Sequence, residues 1–344
     1  GVGYARISTI VKQAREEDPN VLLLDAGDTI HGTVFASLTK GASVVRVMNE
    51  MGYDAMTSGN HDYNYGLDRL EKLQYTMNFP LIVSNVSYKE TREKAFKPYI
   101  IKTLPNGVVV GIFGLATPET SYKTNPTNVE LITFDNPIES AKESVMALKA
   151  KGVNYIIALS HLGMDEDSNH TSIKLAEEVK GIDLIVDGHS HTTLKEGMRV
   201  KDSLIVQSGF YDQNLGEVIV KLGKDGAKHE IVKLFTKEYV MENVMEDPAI
   251  TAIVDEVNKE NKKITSVVMG ESLVLLDGER NDVRTGETNL GNMITEAVLA
   301  KTEAEGVITN GGGIRASIQK GEITRGDLIS VLPFGNYVVV KEIS

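Results

Sequence analysis

The sequence has 344 residues, a length that predicts about two domains, and its 41% hydrophobic and 24% charged residues are typical of a globular protein with a sizeable core. Its formal net charge of -12 argues against nonspecific binding to a nucleic-acid polymer, and the lack of cysteine excludes disulfides and thiolate metal sites. We also expect no transmembrane segment in this chain, because none of its apolar runs approaches the ~18 residues that a membrane span requires.

As far as His191, the chain alternates between short apolar runs and helical patterns. Runs rich in Val, Ile and Leu predict buried strands, and apolar residues repeated every three or four positions predict amphipathic helices. The predicted strands are 21–24, 54–57, 80–84, 108–115, 155–159 and 182–186, and the predicted helices are 5–17, 41–51, 65–77 and 136–151. This alternation indicates an α/β fold with parallel strands.

Beyond His191 the pattern changes to antiparallel strands and then to a second domain. The predicted strands are 203–208, 216–222, 229–235, 271–276 and 306–309, with a turn at 223–226 and helices that start at Asp247 and span 289–301. The helix from Asp247 ends in charged residues, which predicts a connecting helix over residues 246–265. It separates a first domain of residues 1–245, with all the predicted metal ligands, from a second domain of residues 266–344.

Polar side chains follow four of the predicted strands. They are Asp28, Asn60, His61, Asp62, His161, His189 and His191. Ligands in α/β sheets bind beyond the carboxyl ends of the strands, so we expect these side chains at one sheet edge. Carboxylate, amide and imidazole ligands suit Mn, Zn or similar ions, and two ions about 3.5–4 Å apart recur in phosphoester hydrolysis. Taken singly, such a histidine could be a core residue and such an aspartate a helix cap, but four clusters favour a metal site.

The second domain has its own polar group. It consists of Arg280, Arg284, Asn310, Gly312, Gly313, Arg315 and Phe334. Glycines let a backbone approach a ligand closely, arginine matches phosphate oxygens, and phenylalanine can stack on a nucleobase. The alternative is a tight turn with surface arginines and a core phenylalanine.

The order of the motifs GD, GNHD, SH and GHSH resembles the calcineurin-type metallophosphoesterases. With NGGGIR and PFGN, the chain is similar to the 5'-nucleotidase family and its UDP-sugar hydrolase and cyclic-phosphodiesterase relatives. The resemblance covers essentially the whole chain, and it implies an αββα sandwich followed by a smaller α/β nucleotide-binding domain. The family's Asp-x-His pair and its second base-stacking aromatic have no counterpart here. We therefore expect the sequence to be an excerpt that lacks both ends of the family pattern.

The resemblance also implies roles for the residues. Asp28, Asn60, His161 and His189 would hold the second metal ion, and Asp28 with His191 the first. His61 would be the catalytic residue that is not a ligand, with Asp62 orienting its ring, although Asp62 could also cap the following helix. The residues of the second domain would bind the nucleotide, and the connecting helix would act as a hinge. His31, His170 and His229 receive no catalytic role.

The function implied by this resemblance is that of a 5'-nucleotidase, which converts nucleoside 5'-monophosphates to nucleoside and phosphate through a hydroxide activated by two metal ions. A 2',3'-cyclic-nucleotide phosphodiesterase with 3'-nucleotidase activity is an alternative, because Asn64 to Leu67 also resembles such enzymes. A UDP-sugar hydrolase and an inactive nucleotide-binding protein are further alternatives. Family resemblance implies a secreted, cell-wall-associated or periplasmic location.

Overall fold

The computed structural model describes residues 1–223 and 228–342. The chain forms two compact units, one of Gly1–Ile30 with Val44–Val254 and the other of His31–Ser43 with Asp255–Ser344. Of the turn predicted at 223–226, all but Gly223 lies outside the described residues. The domain boundaries that the sequence suggests, at residues 245 and 265, remain a proposal.

The described helices and strands follow the predicted order over most of the chain. The helices are α1 (Tyr4–Glu17), α2 (Val34–Ser37), α3 (Ala42–Met51), α4 (Leu67–Gln74), α5 (Thr120–Lys123), α6 (Pro137–Ala150), α7 (Ser172–Glu178), α8 (Lys237–Asn243), α9 (Pro248–Thr265), α10 (Arg280–Thr285), α11 (Asn289–Thr302) and α12 (Arg325–Val331). The strands are β1 (Leu24–Asp25), β2 (Ala55–Met56), β3 (Val86–Tyr88), β4 (Tyr99–Thr103), β5 (Val109–Ala116), β6 (Ile132–Phe134), β7 (Tyr155–His161), β8 (Leu184–Asp187), β9 (Met198–Val200), β10 (Ser203–Val206), β11 (Asn214–Leu222), β12 (Lys228–Thr236), β13 (Val268–Ser272) and β14 (Gly321–Thr324).

The larger unit is built around a six-stranded sheet of order β4-β5-β7-β8-β10-β9. Its central strands β5, β7, β8 and β10 run parallel, and β4 and β9 are antiparallel at the two edges. A separate parallel pair joins β1 to β2, with Leu24 opposite Ala55. The expected α/β class is therefore confirmed, and parallel strands deliver several loops to the same sheet edge.

The core has two apolar layers, one on each face of the six-stranded sheet. Along β7, Ile156 and Ala158 pack in the layer that contains α6 and α7, while Ile157 and Leu159 pack in the opposite layer with Ala55 of β2. This alternation follows from the two-residue period of a strand, whose successive side chains point to opposite faces. Both faces of β7 are covered, which explains why its sequence is almost continuously apolar.

Side-chain caps set where two of the longer helices begin. The Asn136 carboxamide oxygen accepts the Ile138 N–H at 2.9 Å, and Pro137 takes the first helical position of α6, where a missing N–H costs nothing. Asp247 plays the same part for α9, accepting the Ala249 N–H at 3.1 Å. Both starts agree with the sequence prediction, which begins these helices at residue 136 and at Asp247.

The smaller unit has a core of Leu276, Val283, Leu290, Ile318 and Val331, with β13 and β14 pairing antiparallel. Its strands correct the sequence prediction. The strand expected at 271–276 is instead Val268–Ser272. The strand expected at 306–309 is irregular: Ile308 is fully exposed, and none of the described strands pairs with this segment. In the larger unit, the strand expected at 80–84 contributes only the isolated bridges of Leu81 and Ile82.

Candidate metal centre

Four loops of the larger unit, each at the carboxyl end of a strand, carry the predicted metal ligands. Asp28 follows β1, Asn60 follows β2, His161 ends β7, and His189 follows β8. Asp28 and His189 have left-handed backbone, with φ of 62° and 72°, and so has His191 at 60°. A non-glycine residue with positive φ costs free energy, and such residues cluster at functional sites.

The structure brings three of the predicted ligands together. One ligand atom from each of Asp28, His161 and His189 lies within 4.8 Å of the other two, the spacing that a shared cation requires. His161 Nε2 is 3.0 Å from Asp28 Oδ2. Its other ring nitrogen, Nδ1, is 2.6 Å from the Ala26 carbonyl oxygen, so a neutral His161 carries its proton there and turns the Nε2 lone pair toward the cluster.

Two buried polar atoms of this cluster fit a bound cation. Asn60 Oδ1 is buried and has no hydrogen-bond partner among the described residues, and the buried His161 Nε2 faces the Asp28 carboxylate. Buried acceptors are normally paired, because an unpaired one costs about 1–3 kcal/mol. A carboxamide oxygen and an imidazole nitrogen are both metal ligands, so the donor set suits a divalent ion such as Mn or Zn.

The electrostatics of the cluster also favour positive charge. Burial acts to raise the pKa of Asp28, but His161, His61 and His189 hold it well below the usual range. Burial acts to lower the pKa of His161, but the Asp28 carboxylate raises it to about 9. Asp28 and His161 would hold a divalent ion here with the His161 Nε2 proton removed, because a metal ligand must be deprotonated.

Asp62 has a structural role in addition to the one expected of it. Its side chain is 0% exposed, and its two oxygens accept four backbone N–H groups, those of Asp28, Thr29, Ile30 and Gly59, at 2.7 to 3.1 Å. Asp62 thus ties the loop after β1 to the loop after β2, and the orienting role expected of it beside His61 remains a prediction. The group beside His61 Nδ1 is the side-chain nitrogen of Asn64, 3.1 Å away.

The loop that carries His189 and His191 is held by Gln207. Gln207 Oε1 accepts the Thr192 N–H at 2.6 Å, and its Nε2 donates to Asp187 at 3.0 Å. The His191 ring stacks on Phe210 with centroids 4.9 Å apart, and His191 is not one of the three residues that converge. Its role as a ligand therefore remains a prediction.

An acidic and a basic residue that the sequence did not single out lie beside His189. Glu119 Oε2 is 3.2 Å from His189 Nε2, and Lys123 Nζ is 3.0 Å from the same atom and 2.6 Å from Glu119. Glu119 lies in the loop between β5 and α5, and nothing in the motif pattern tied that loop to His189.

In the smaller unit, the glycine-rich segment packs against α10. Asn310 Oδ1 accepts the Gly312 N–H at 3.0 Å and so begins a short 3-10 helix of Gly311–Gly313. A Cβ at position 311 would lie 1.9 Å from the Val283 carbonyl oxygen, so only glycine allows this approach. Arg284 lies beside Gly312, and Arg280 is one turn earlier on α10.

The predicted base-stacking residue of this unit is already in contact with two side chains. The Arg315 guanidinium lies 5.5 Å from the centroid of the Phe334 ring, and the His31 ring stacks on Phe334 at 5.5 Å with an interplanar angle of 8°. The sequence did not predict this contact of His31, because it joins residues far apart in the chain. The nucleotide-binding roles of these residues remain proposals.

Among the described helices, none combines the length and the apolar character that crossing a bilayer requires.

Comparisons with known proteins match this architecture. A model of the calcineurin-like phosphoesterase family matches residues 1–193, and one of the 5'-nucleotidase C-terminal domain matches residues 268–344. The chain is 34% identical to the trifunctional nucleotide phosphoesterase protein YfkN of Bacillus subtilis (strain 168), over 99% of this chain and 26% of that protein. It is 32% identical to the 5'-nucleotidase of Bos taurus, over 97% of this chain and 62% of that protein. The chain thus spans only part of the length of these relatives.

A solved structure extends the likeness to the fold. The crystal structure of a 5'-nucleotidase precursor from Thermus thermophilus superposes with a TM-score of 0.81 at 35% sequence identity. The superposition covers 97% of this chain and 68% of that one.

Proposed function

This chain belongs to the 5'-nucleotidase family, in which a calcineurin-like phosphoesterase domain precedes a 5'-nucleotidase C-terminal domain, and on that premise we propose that it hydrolyses nucleotide phosphoesters with divalent metal ions. The convergence of Asp28, His161 and His189, beside the buried and otherwise unpaired Asn60 Oδ1, is the observation that carries this proposal.

The proposed ligands of one ion are Asp28, Asn60, His161 and His189, and Asp28 with His191 is proposed for a second. Bound divalent ions polarise a phosphoryl oxygen and make water a stronger nucleophile at neutral pH. The chain's own contribution is to present these ligands in fixed orientations. Ala26 fixes the ring of His161, Asp62 joins the loops of Asp28 and Asn60, and Gln207 holds the loop of His189.

His61 is the proposed catalytic residue that binds no metal. Its backbone N–H donates to Asp28 Oδ1 at 2.7 Å, so its position is tied to that of the metal ligand. Its imidazole would donate a hydrogen bond to the phosphoryl group or a proton to the leaving oxygen of the ribose.

A nucleoside 5'-monophosphate is the first substrate we propose. The smaller unit supports this choice, because Arg284, the Gly312 backbone and Arg315 are suited to anionic oxygens and Phe334 to a base. A 2',3'-cyclic nucleotide is the second, because the relative YfkN, at 34% identity, is named a trifunctional nucleotide phosphoesterase. A nucleotide sugar is a third.

The release of phosphate from AMP, and of 3'-AMP or phosphate from 2',3'-cyclic AMP, each with Mn²⁺ or Zn²⁺, tests the proposal. We expect release that requires the metal, is lost in His61→Gln, and persists in a matched Asn154→Leu variant. The preferred substrate distinguishes a 5'-nucleotidase from a 2',3'-cyclic-nucleotide phosphodiesterase. No release from a folded chain that has bound metal would overturn the hydrolase and favour a nucleotide-binding protein.

We also propose that the protein acts outside the cytoplasm. The support is a relative that is 32% identical, over 68% of its length, and is named snake venom 5'-nucleotidase, from Naja atra. Fractionation of cells that make the protein tests this, and recovery in the cytoplasm alone would contradict it.

A further inference from the structure

The rings of His31 and Phe334 form a stack inside the smaller unit. Their centroids lie 5.5 Å apart, and the two planes are nearly parallel, with an angle of 8° between them. Such an offset aromatic stack stabilises both rings beyond the burial of their surface. The rings differ in exposure, because His31 is 6% exposed whereas Phe334 is only partly buried. The imidazole is therefore the inner ring of the stack, and the phenyl ring is the outer one.

Two short helices bring these rings together. His31 lies just before Thr33, whose side chain begins α2 by accepting the Ala36 N–H at 3.3 Å. Phe334 follows α12, which ends at Val331, and α2 packs against α12. The stack thus follows from the packing of two helices and not from the loop of Phe334 alone.

Arg315 connects the same phenyl ring to the glycine-rich segment. Its guanidinium carbon lies 5.5 Å from the Phe334 centroid, within the ~6 Å range of a cation–π contact. Its Nη1 donates to the Gly312 carbonyl at 3.4 Å, and its backbone N–H donates to the Val331 carbonyl at 2.9 Å. Phe334 is therefore in contact with two side chains. Arg315 belongs to a motif that the sequence singled out, and His31 does not.

A ring packed against Phe334 affects how well Phe334 can bind a base. A nucleobase gains affinity by stacking on an aromatic side chain. A side chain that is free to rotate must first be immobilised, and this loss of conformational entropy weakens binding about 2- to 10-fold. A phenyl ring that is already packed against a buried imidazole avoids that loss.

The burial of His31 favours a supporting ring over one that competes with the base. A competing ring would have to leave when the base binds, but His31 is buried and directly follows Ile30, which is 0% exposed. We propose that His31 is the positioning residue of Phe334: its imidazole covers one face of the phenyl ring, so that the ring presents its other face to a nucleobase. This inference rests on the proposed function, because it takes the ligand to be a nucleotide.

Adenosine tests the proposal without turnover, because it carries the base and has no phosphate to release. By calorimetric titration, we expect His31→Ala to bind adenosine about 2- to 10-fold more weakly than the unaltered chain. His31→Phe keeps a flat ring at this position and should bind adenosine within about twofold of the unaltered chain. His229→Ala is the matched control, because His229 is exposed on β12 and its loss should leave the Kd unchanged. Equal or tighter binding of adenosine by a folded His31→Ala variant would overturn the proposal.

Nuclear Overhauser effects in the unaltered chain give a result whether or not the variants fold. The chain has 8 phenylalanines and 7 histidines, so the ring signals of a chain with ¹³C-labelled Phe and His are few. We expect adenine protons to contact the Phe334 ring and not the His31 ring, because the base stacks on the face that His31 does not cover. Adenine contacts to the His31 ring, or none to Phe334, would contradict the proposed arrangement.

Kinetics separate this inference from the proposed function. With AMP and Mn²⁺, His31→Ala should raise KM about 2- to 10-fold while kcat changes by less than about twofold. With ribose 5-phosphate, which has the sugar phosphate but no base, neither constant should change. An equal rise in KM for both substrates would overturn the positioning role alone.

A chain that hydrolyses no phosphoester would overturn the proposed hydrolase but leave adenosine binding measurable. An unaltered chain that binds no adenosine would overturn the base-stacking role of Phe334, and this inference with it.

Discussion

Asn60, a proposed metal ligand, should weaken the metal-free fold. Its buried Oδ1 has no partner among the described residues. Asn60→Leu removes that oxygen and keeps a similar side-chain volume. We therefore expect the free energy of unfolding of the metal-free chain to stay unchanged or to rise by up to about 1 kcal/mol. Mn²⁺ affinity should fall at least about tenfold. Urea unfolding in chelator and calorimetric titration measure the two effects.

Asn154→Leu is the matched control for that experiment, because Asn154 Oδ1 accepts the Val109 N–H at 2.8 Å. It should lose about 1 kcal/mol of stability and keep its Mn²⁺ affinity. If Asn60→Leu instead destabilised the chain and bound Mn²⁺ normally, Asn60 would be structural.

Asp62 should behave in the opposite way. Asp62→Ala leaves up to four buried N–H groups unpaired, so we expect a loss of about 2–4 kcal/mol in the free energy of unfolding, measured by chemical denaturation. Asp68→Ala is the control, because Asp68 is 80% exposed in its ion pair with Lys72 and should change stability by less than about 1 kcal/mol. A stable but inactive Asp62→Ala variant would support the catalytic role expected from the sequence.

Some contacts of individual residues could be predicted from the sequence, and others could not. The strand-end positions of Asp28, His161 and His189 follow from parallel-strand geometry, so their convergence could be predicted. The partner of His61 could not, because it depends on a single 3-10 turn that brings Asn64 to the ring. The stacking of His31 on Phe334 is a contact across the sequence that no local pattern indicates.

Among the contacts between helices, Asp247 joins the start of α9 to α1. Its carboxylate accepts from Ser8 at 2.5 Å and pairs with Lys12 at 2.6 Å, in addition to capping Ala249. Burial acts to raise the pKa of Asp247, but the hydrogen bonds from Lys12 and Ser8 hold it below its usual value.

The pH dependence follows from that lowered pKa. The carboxylate stabilises the fold above the unfolded pKa of about 3.9, and this contribution is lost as pH falls through the lower folded value. The free energy of unfolding of Asp247→Asn should therefore be about 1–2 kcal/mol lower than that of the unaltered chain at pH 7. This difference should shrink below about pH 4. Denaturant titrations of both proteins across this range measure it, and a constant deficit would contradict the assignment.

Helices with strong end signals were predictable as elements, and isolated strands were not. The Asn-Pro and Asp-Pro pairs place the starts of α6 and α9 within the sequence itself. The segment 306–309 has strand-like composition, but a strand also needs a neighbour to pair with, and that is a property of the tertiary structure.

For the molecule as a whole, metal binding should couple to stability. A ligand that binds only the folded state raises the free energy of unfolding by about 2.7 kcal/mol at a hundredfold excess over Kd. We expect Mn²⁺ or Zn²⁺ to raise the unfolding temperature, chelator to reverse the rise, and His161→Ala to abolish it. An equal rise in His161→Ala would locate the bound ion elsewhere.

The left-handed backbone at Asp28, His189 and His191 has an evolutionary consequence. Glycine adopts this conformation without strain, so a glycine at any of the three positions would relieve about 1–2 kcal/mol while deleting a candidate ligand. At these three positions, backbone stability would favour glycine, whereas metal binding would favour the ligand side chain. In a lineage that no longer needs this site, a glycine at these positions should therefore be tolerated and should stabilise the backbone.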